Sequence, residues 1–349
     1  MQEHQTLEQH LAEWRGDDSL REAVAATVSA IAESCVAIAE IIALGPLGAR
    51  FAARGAKIAD GDAAANLDLR ANEILIAELK KAPVACVASG QAEIPEGFDP
   101  AAPVCIALDP LDGSSNIDTN MSVGTIFSVL PMTCDHCSPS RECFVKKGAC
   151  QLAAGFVIYG PQTALVLTLG AGTHIFTLNP DTGVFCLTYP NIAIPADTNE
   201  FAINTSNFRR WDGCVRAYID DCLQGAEGPH GRNYNTRWIA SLVAECYRIM
   251  MRGGIFLYPG DRRADYQTGR LRLAYECNPI AMVIEQAGGA ATTGHERILD
   301  LQPTDIHQRV PLVFGSANEV DLLCHYYREG DSFPERPQLF GKRGLFRTG

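Results

Sequence analysis

The chain is short of positive charge. Its 349 residues carry 29 Lys and Arg against 41 Asp and Glu, a formal net of −12. Such a balance argues against DNA or RNA as the principal partner, while leaving room for a local basic pocket that takes a phosphorylated small molecule. No uninterrupted apolar run reaches the ~18 residues of a membrane helix; the most apolar stretch, residues 20–44, is broken by Arg21, Glu22, Glu33 and Glu40. The opening MQEHQTLEQHLAEWRGDDSL has neither the apolar centre of a secretory signal nor the Arg/Ser-rich, acid-poor character of a transit peptide. These absences predict a cytoplasmic protein with no membrane partner. Low-complexity blocks and internal repeats are also missing, so the body should be globular. A chain this long, 47% hydrophobic, is expected to build two closely packed domains, because single cores stop growing at about 250–300 residues.

What the chain has in excess is cysteine: 13, an odd number. In a long chain without a secretory signal, most are expected as reduced thiols serving as small buried hydrophobes.

Leu20, Val24, Val28, Ile31, Ile38, Ile41 and Ile42 recur at helical spacing and predict a helix over 19–43 that ends at GPLG. DLRANEILIAELKK (68–81) predicts a second, stopped by Pro83. VACVAS (84–89) and PVCIAL (103–108) read as buried strands, and GTIFSVL, GFVIYG, TALVLTLG and HIFTL as further strands of a mixed or antiparallel sheet. Beyond TYPNIAIP the pattern alternates: strand at FAINTS, helix over 236–254, strand at IFLYP, helix over 278–289, strand over 310–316. The reading is α/β, with mixed sheets and helices between them. The domains are placed at 1–197 and 198–329, followed by an aperiodic tail, 330–349.

The segment CIALDPLDGSSNID (105–118) carries the chemistry. A buried strand ends in Asp109 and Asp112, stiffened by Pro110. Hard divalent cations take oxygen ligands, and Gly113-Ser114-Ser115 offers backbone N–H groups to a phosphate. A cation beside a phosphate cradle is what phosphoester hydrolysis requires. Spacing alone leaves a second reading open, an Asx-rich turn that caps a helix.

DPLDGSSNID followed by SVGTIFSVLP closely resembles the metal-binding segment of the class I fructose-1,6-bisphosphatases. LVAECYRIMMRGGIFLYP, GRLRLAYECNPIAMVIEQAGGAATTG and ILDLQPTDIHQRVPLVFGS resemble the same family, in order, from about residue 20 to about 325. The resemblance implies a layered sugar-phosphatase fold that removes the 1-phosphate of a sugar bisphosphate with Mg²⁺, or Mn²⁺, as cofactor. Fructose 1,6-bisphosphate is the first-choice substrate; sedoheptulose 1,7-bisphosphate and a binding homologue with impaired catalysis are the alternatives. It implies Asp109, Asp112 and Glu276 as carboxylate metal ligands and Leu111 as a backbone ligand. Asp62 and Asp68 match the acidic pair that serves the metals and the activation of water. Gly113, Ser114 and Ser115 would hold the reacting phosphate, and Asn204, Arg237, Tyr258 and Arg270 the distal one. The family's counterpart of Arg237 reaches in from a neighbouring subunit, which implies a homotetramer. From the residues alone, Arg270 and Arg272, alternating with leucines, suggest an anion site on one strand face, and His307 reads as structural.

Three departures from the family pattern stand out. Gly90 and Gln91 replace two glutamates that bridge metals and help activate water. An amide cannot accept a proton at neutral pH, and glycine offers only backbone. Either Glu93 swings in as a catalytic carboxylate, or the retained acids suffice, or the protein only binds. TCDHCSPSRECFVKKGAC places Cys134, Cys137, Cys143 and Cys150 within 17 residues; an exposed loop of reduced thiols, a redox switch and a zinc site are all compatible with it. Finally, DDSLREAV and APVCIAL lack the hydroxyls and the Lys-Tyr pair of the family's AMP site. AMP is therefore expected to leave the activity unchanged, measured as phosphate release with AMP titrated across the physiological range; inhibition saturating at low micromolar AMP would overturn this.

Overall fold

In the computed structural model, residues 4–45, 47, 62–132 and 141–330 are described, residues 62–66 and 265 through their backbone only. The expected tail lies almost wholly outside this set, as do Cys134 and Cys137.

Two helices, α1 (Leu7–Arg15) and α2 (Ser19–Leu44), open the chain, and α3 (Asp62–Leu79) follows. Asp18 caps α2 by accepting the N–H groups of Leu20 and Arg21. By length and composition α2 could cross a bilayer. Here Val24, Val28, Ile31, Cys35 and Ile38 are buried in the first core, while Glu33 and Glu40 face outward.

An eight-stranded sheet comes next, in spatial order β2-β1-β3-β4-β5-β6-β7-β8. Its strands are β1 (Val84–Ser89), β2 (Glu96–Gly97), β3 (Val104–Asp112), β4 (Val123–Pro131), β5 (Ala153–Tyr159), β6 (Thr163–Thr168), β7 (Thr173–Asn179) and β8 (Val184–Tyr189). Only β1 and β3 are parallel. Strand periodicity of two sends alternate residues to opposite faces: Val104, Ile106 and Leu108 meet α2 and α3, while Cys105 and Ala107 face a smaller cluster with Tyr275 and Ile306.

The second half supplies a five-stranded sheet, β10-β9-β11-β15-β13. It comprises β9 (Glu200–Ile203), β10 (Asn235–Thr236), β11 (Ile255–Tyr258), β13 (Ala290–Thr292) and β15 (Leu312–Gly315), with helices α4 (Gly213–Leu223), α5 (Leu242–Arg252), α6 (Asn278–Gln286) and α7 (Ala317–Glu329). A two-stranded pair, β12 (Leu271–Arg272) and β14 (Arg309–Val310), stands apart. Helices α5 and α6 lie between the two sheets, their Val243, Ile249, Ile280 and Ile284 packed with Phe156 and Val166 on one side and Phe256 and Phe314 on the other. Helices α4 and α7 cover the outer face of the second sheet through Val215, Ile219 and Leu323. The layers run helix, sheet, helix, sheet, helix, an α/β architecture with mixed sheets and helices between.

The helix expected over 236–254 begins six residues later, at Leu242. Ala240 takes a left-handed φ of 63°, and Ser241 caps the helix through the Ala244 N–H. The buried Glu245 carboxylate accepts the Ile239 N–H at 2.7 Å and pairs with Arg248 at 3.0 Å. Residues 237–241 are thus held as an extended lead-in. Helices α1, α4 and α7 stand beyond the four helices expected from periodicity.

Glu245→Ala should strand the Ile239 N–H and the Arg248 guanidinium, costing about 3 kcal/mol or more in denaturant unfolding. Glu245→Gln, which keeps an acceptor, should cost less; equal losses would show that charge alone matters.

Candidate active site

Asp109 and Asp112 are three residues apart, so a regular strand would point them to opposite faces. The pairing of β3 with β4 shifts register between these two residues. Such an irregularity re-aims side chains, and Thr125 fixes it by donating its hydroxyl to the Pro110 carbonyl at 2.9 Å. Glu276 arrives from a single π turn, Leu273–Cys277, immediately before α6. One oxygen from each of Asp109, Asp112 and Glu276 lies within 4.8 Å of the others, and all three residues are buried.

Burying like charges together is costly. Desolvation, followed by the Asp109 and Glu276 charges, raises Asp112 to about 8, although the Val243 N–H at the start of α5 donates to it at 3.1 Å. Desolvation and Asp109 raise Glu276 to about 7. Asp109 is raised as well by its burial, with the Arg272 guanidinium opposing. Asp68 on α3 is raised to about 6, first by desolvation, against the Ser114 hydroxyl, with Asp109 adding and Arg272 subtracting. Among the described residues its buried Oδ1 has no hydrogen-bond partner. An all-carboxylate donor set with proton affinities this high, beside an orphaned carboxylate oxygen, fits a hard divalent cation.

Gly113 follows with φ 73°, ψ 25°, a left-handed conformation that glycine reaches without a Cβ penalty, and Ser114–Asn116 form a 3₁₀ turn. Asn116 ties this turn to the lead-in of α5 by donating Nδ2 to the Ala240 carbonyl at 3.0 Å.

Arg270 and Arg272 flank Leu271, so strand alternation puts both on one face about 7 Å apart. Arg272 reaches the carboxylates: 3.8 Å from Asp109 and 3.4 Å from Glu276. Arg270 points to a second pocket lined by Asn204, Asn207, Trp211, Tyr258, Asp261 and itself. There it donates to the Tyr258 hydroxyl at 3.3 Å and stacks on Tyr266 at 4.0 Å. Arg263 joins this pocket's edge by donating to the Asn207 side-chain Oδ1 at 3.2 Å.

The structure thus brings Asp68, Asp109, Asp112 and Glu276 together, and Asn204, Tyr258 and Arg270 together. Leu111 is buried between the two aspartates. Arg237 stands apart: it is about half exposed and pairs with Glu200 of its own chain at 3.4 Å. Asp62 is the first residue of α3, its side chain outside the described residues. The Glu93 side chain is exposed, and its carbonyl accepts from Arg141 at 3.3 Å and faces His307 Nε2 at 3.2 Å. Gly90 gives its carbonyl to Arg272 at 2.7 Å. Arg272 was legible only as half of an anion site; its four-residue spacing from Glu276 was the signal that ties it to the carboxylates.

Residues 5–190 match the N-terminal domain of fructose-1-6-bisphosphatase and residues 194–328 its C-terminal domain. The chain belongs to the class 1 fructose-1,6-bisphosphatase family. It is 53% identical to the fructose-1,6-bisphosphatase class 1 of Rhizobium meliloti (strain 1021), over 98% of this chain and 99% of that one. Identity to the relative from Nitrobacter vulgaris is 51%, over the full length of both. Among solved structures, Leishmania major fructose-1,6-bisphosphatase in holo form superposes with a TM-score of 0.84 at 34% identity, covering 93% of this chain and 99% of that one. Within its layered α/β fold the chain carries a carboxylate cluster and a separate pocket that holds Arg270.

A carboxyl group whose folded pKa is raised holds its proton more tightly in the folded than in the unfolded chain. The stability this contributes is complete below the ordinary carboxylate range and is lost as pH rises through the folded value. Metal-stripped protein should therefore lose thermal stability progressively from about pH 4 to about pH 8, the share of Asp68 being gone near pH 6, that of Glu276 near pH 7 and that of Asp112 near pH 8. Asp112→Asn should flatten that slope and raise the metal-free Tm at pH 8. An unchanged slope in the variant would place the titration elsewhere.

Proposed function

We propose that this chain hydrolyses the 1-phosphate of fructose 1,6-bisphosphate to fructose 6-phosphate and phosphate, with Mg²⁺ as its ion and Mn²⁺ as a substitute. The observation that carries this reading is the pair of arginines that flank Leu271, one at the carboxylate cluster and one in the distal pocket. A molecule with a phosphate at each end can span them.

Asp109, Asp112 and Glu276, with the Leu111 carbonyl, would hold the metal. When bound, a divalent ion supplies a polarised phosphoryl oxygen and a more acidic water. The N–H groups of Gly113, Ser114 and Ser115 orient the reacting phosphate. Asp68, ionised above about pH 6, accepts the proton of the attacking water, assisted by Asp62. Arg272 faces the charge that builds on the phosphoryl group in the transition state. Asn204, Tyr258 and Arg270 hold the far phosphate and so set the distance to the reacting one. Arg237, exposed and outside its own chain's distal pocket, would complete that pocket in a neighbouring subunit of a homotetramer.

Phosphate release with saturating Mg²⁺ tests the reading. Asp112→Ala and Asp68→Asn should each lose about 10²-fold or more in kcat, and Arg270→Ala should act mainly through KM. Glu93→Ala is expected to keep most turnover; its loss would bring that carboxylate into the reaction through a different path of its loop. A parent protein that releases no phosphate with either ion would overturn the enzyme reading.

A further inference from the structure

We propose that Cys86, Cys105, Cys143 and Met132 form a binding site for a single soft, thiophilic cation of the Cu(I) class, separate from the carboxylate cluster. Cys86 and Cys105 are direct partners on the adjacent parallel strands β1 and β3, with their sulfurs 3.4 Å apart. Met132, just past β4, brings its Sδ to 3.4 Å from Cys105 and 3.7 Å from Cys143. The three thiols lie within 4.8 Å of one another, and each is fully buried.

The spacing suits an ion. A metal–thiolate distance of about 2.3 Å gives a sulfur tetrahedron with edges near 3.8 Å, and the sulfur separations here fall around that value. The donor chemistry selects the metal. Zinc takes thiolate, imidazole and carboxylate, whereas a thioether beside thiolates suits Cu(I). Ala85, Ala88, Ala102, Leu130 and Phe144 surround the thiols, and among the described residues no carboxylate or imidazole joins the group. Binding would displace thiol protons. The Cys105 thiol is already held below its ordinary range, first by the Cys86 S–H and also by the Lys146 ammonium.

A disulfide is the rival chemistry. It would use two of the four sulfurs and draw Cys86 and Cys105 from 3.4 Å to about 2.0 Å, leaving Cys143 and Met132 without a role. Of the cysteines that the sequence grouped in one loop, Cys143 joins this cluster and Cys150 is exposed; of the other three ligands, Cys86 and Cys105 come from strands and Met132 follows β4. The site would staple the Arg141–Cys143 turn to β1 and β3. Arg141 in that turn pairs with Asp305 at 3.4 Å and donates to the Glu93 carbonyl, so the staple also supports the loop that follows β1.

The test is an anaerobic titration of the reduced full chain with Cu(I) against a bicinchoninate competitor, followed by thermal melting. The parent should retain one equivalent more tightly than any other and melt at higher temperature when it is bound. Met132→Leu, which conserves core volume, should weaken that equivalent by about 10–100-fold, and Cys105→Ser should abolish it together with the Tm rise. Cys134→Ser/Cys137→Ser should retain it. The proposal is overturned by unchanged retention in both Met132→Leu and Cys105→Ser, by loss confined to Cys134→Ser/Cys137→Ser, or by a Cys86–Cys105 disulfide in alkylated peptides of the purified protein.

Discussion

Three carboxylates buried within 4.8 Å of one another are the constraint around which this fold is organised. Left to themselves they would repel, take up protons and push apart. Each is therefore delivered by an element that cannot easily yield. Asp109 and Asp112 come from a fully buried strand whose irregular register is fixed by the buried Thr125 hydroxyl. Glu276 comes from a π turn pinned to the Arg272 N–H at 2.7 Å. The first turn of α5 gives Asp112 a backbone donor and the positive end of a helix dipole. Rigidity here is a condition for a high-affinity cation site, because a pliable set of acids would relax apart and lose the field that attracts the ion.

The layers explain why the site lies where it does. The large sheet is packed on one face by α2 and α3, and α3 brings Asp68. Its other face meets α5 and α6, whose starting turns bring the Asp112 donor and Glu276. The site therefore stands at the end of β3, where both helix layers converge on one strand terminus. The second sheet contributes the distal pocket through β9 and β11, and the β12 strand bridges the two.

Much of this was legible in the sequence. The apolar run that stops at Asp109 announced a buried strand with acids at its end, and the periodicity of residues 19–43 announced α2. The start of α5 was not legible, because Arg237, Trp238 and Ile239 continue an amphipathic pattern that only the left-handed Ala240 and the Ser241 cap interrupt. Helices α1, α4 and α7 are less apolar overall than α2; α1 is announced only by the Thr6–Gln9 capping box, and α4 and α7 are tied by a tertiary contact, the Tyr218 hydroxyl donating to the buried Glu319 at 2.7 Å. The thiol cluster was hidden for a different reason. Its ligands lie on β1, β3, just past β4 and in the turn at Cys143, and only strand register and chain return bring them together.

Gly90 and Arg272 show how a position without a side chain is used. A Cβ at residue 90 would stand 2.6 Å from the Arg272 guanidinium, so the arginine occupies the space where a side chain would begin. The absence of that side chain lets the guanidinium lie on the Gly90 carbonyl while facing Asp109 and Glu276, and it passes over the Tyr275 ring at 5.2 Å. A fixed positive charge at that position offsets part of the repulsion among the carboxylates and opposes the rise in the proton affinities of Asp109, Glu276 and Asp68. Residue 90 and Arg272 are thus a coupled pair. An acid at position 90 would add negative charge and have to displace the guanidinium, whereas glycine leaves the arginine as the site's resident cation. Two residues earlier in the same segment, Arg270 reaches the distal pocket, so the segment that steadies the carboxylates also sets the distance to the far anion.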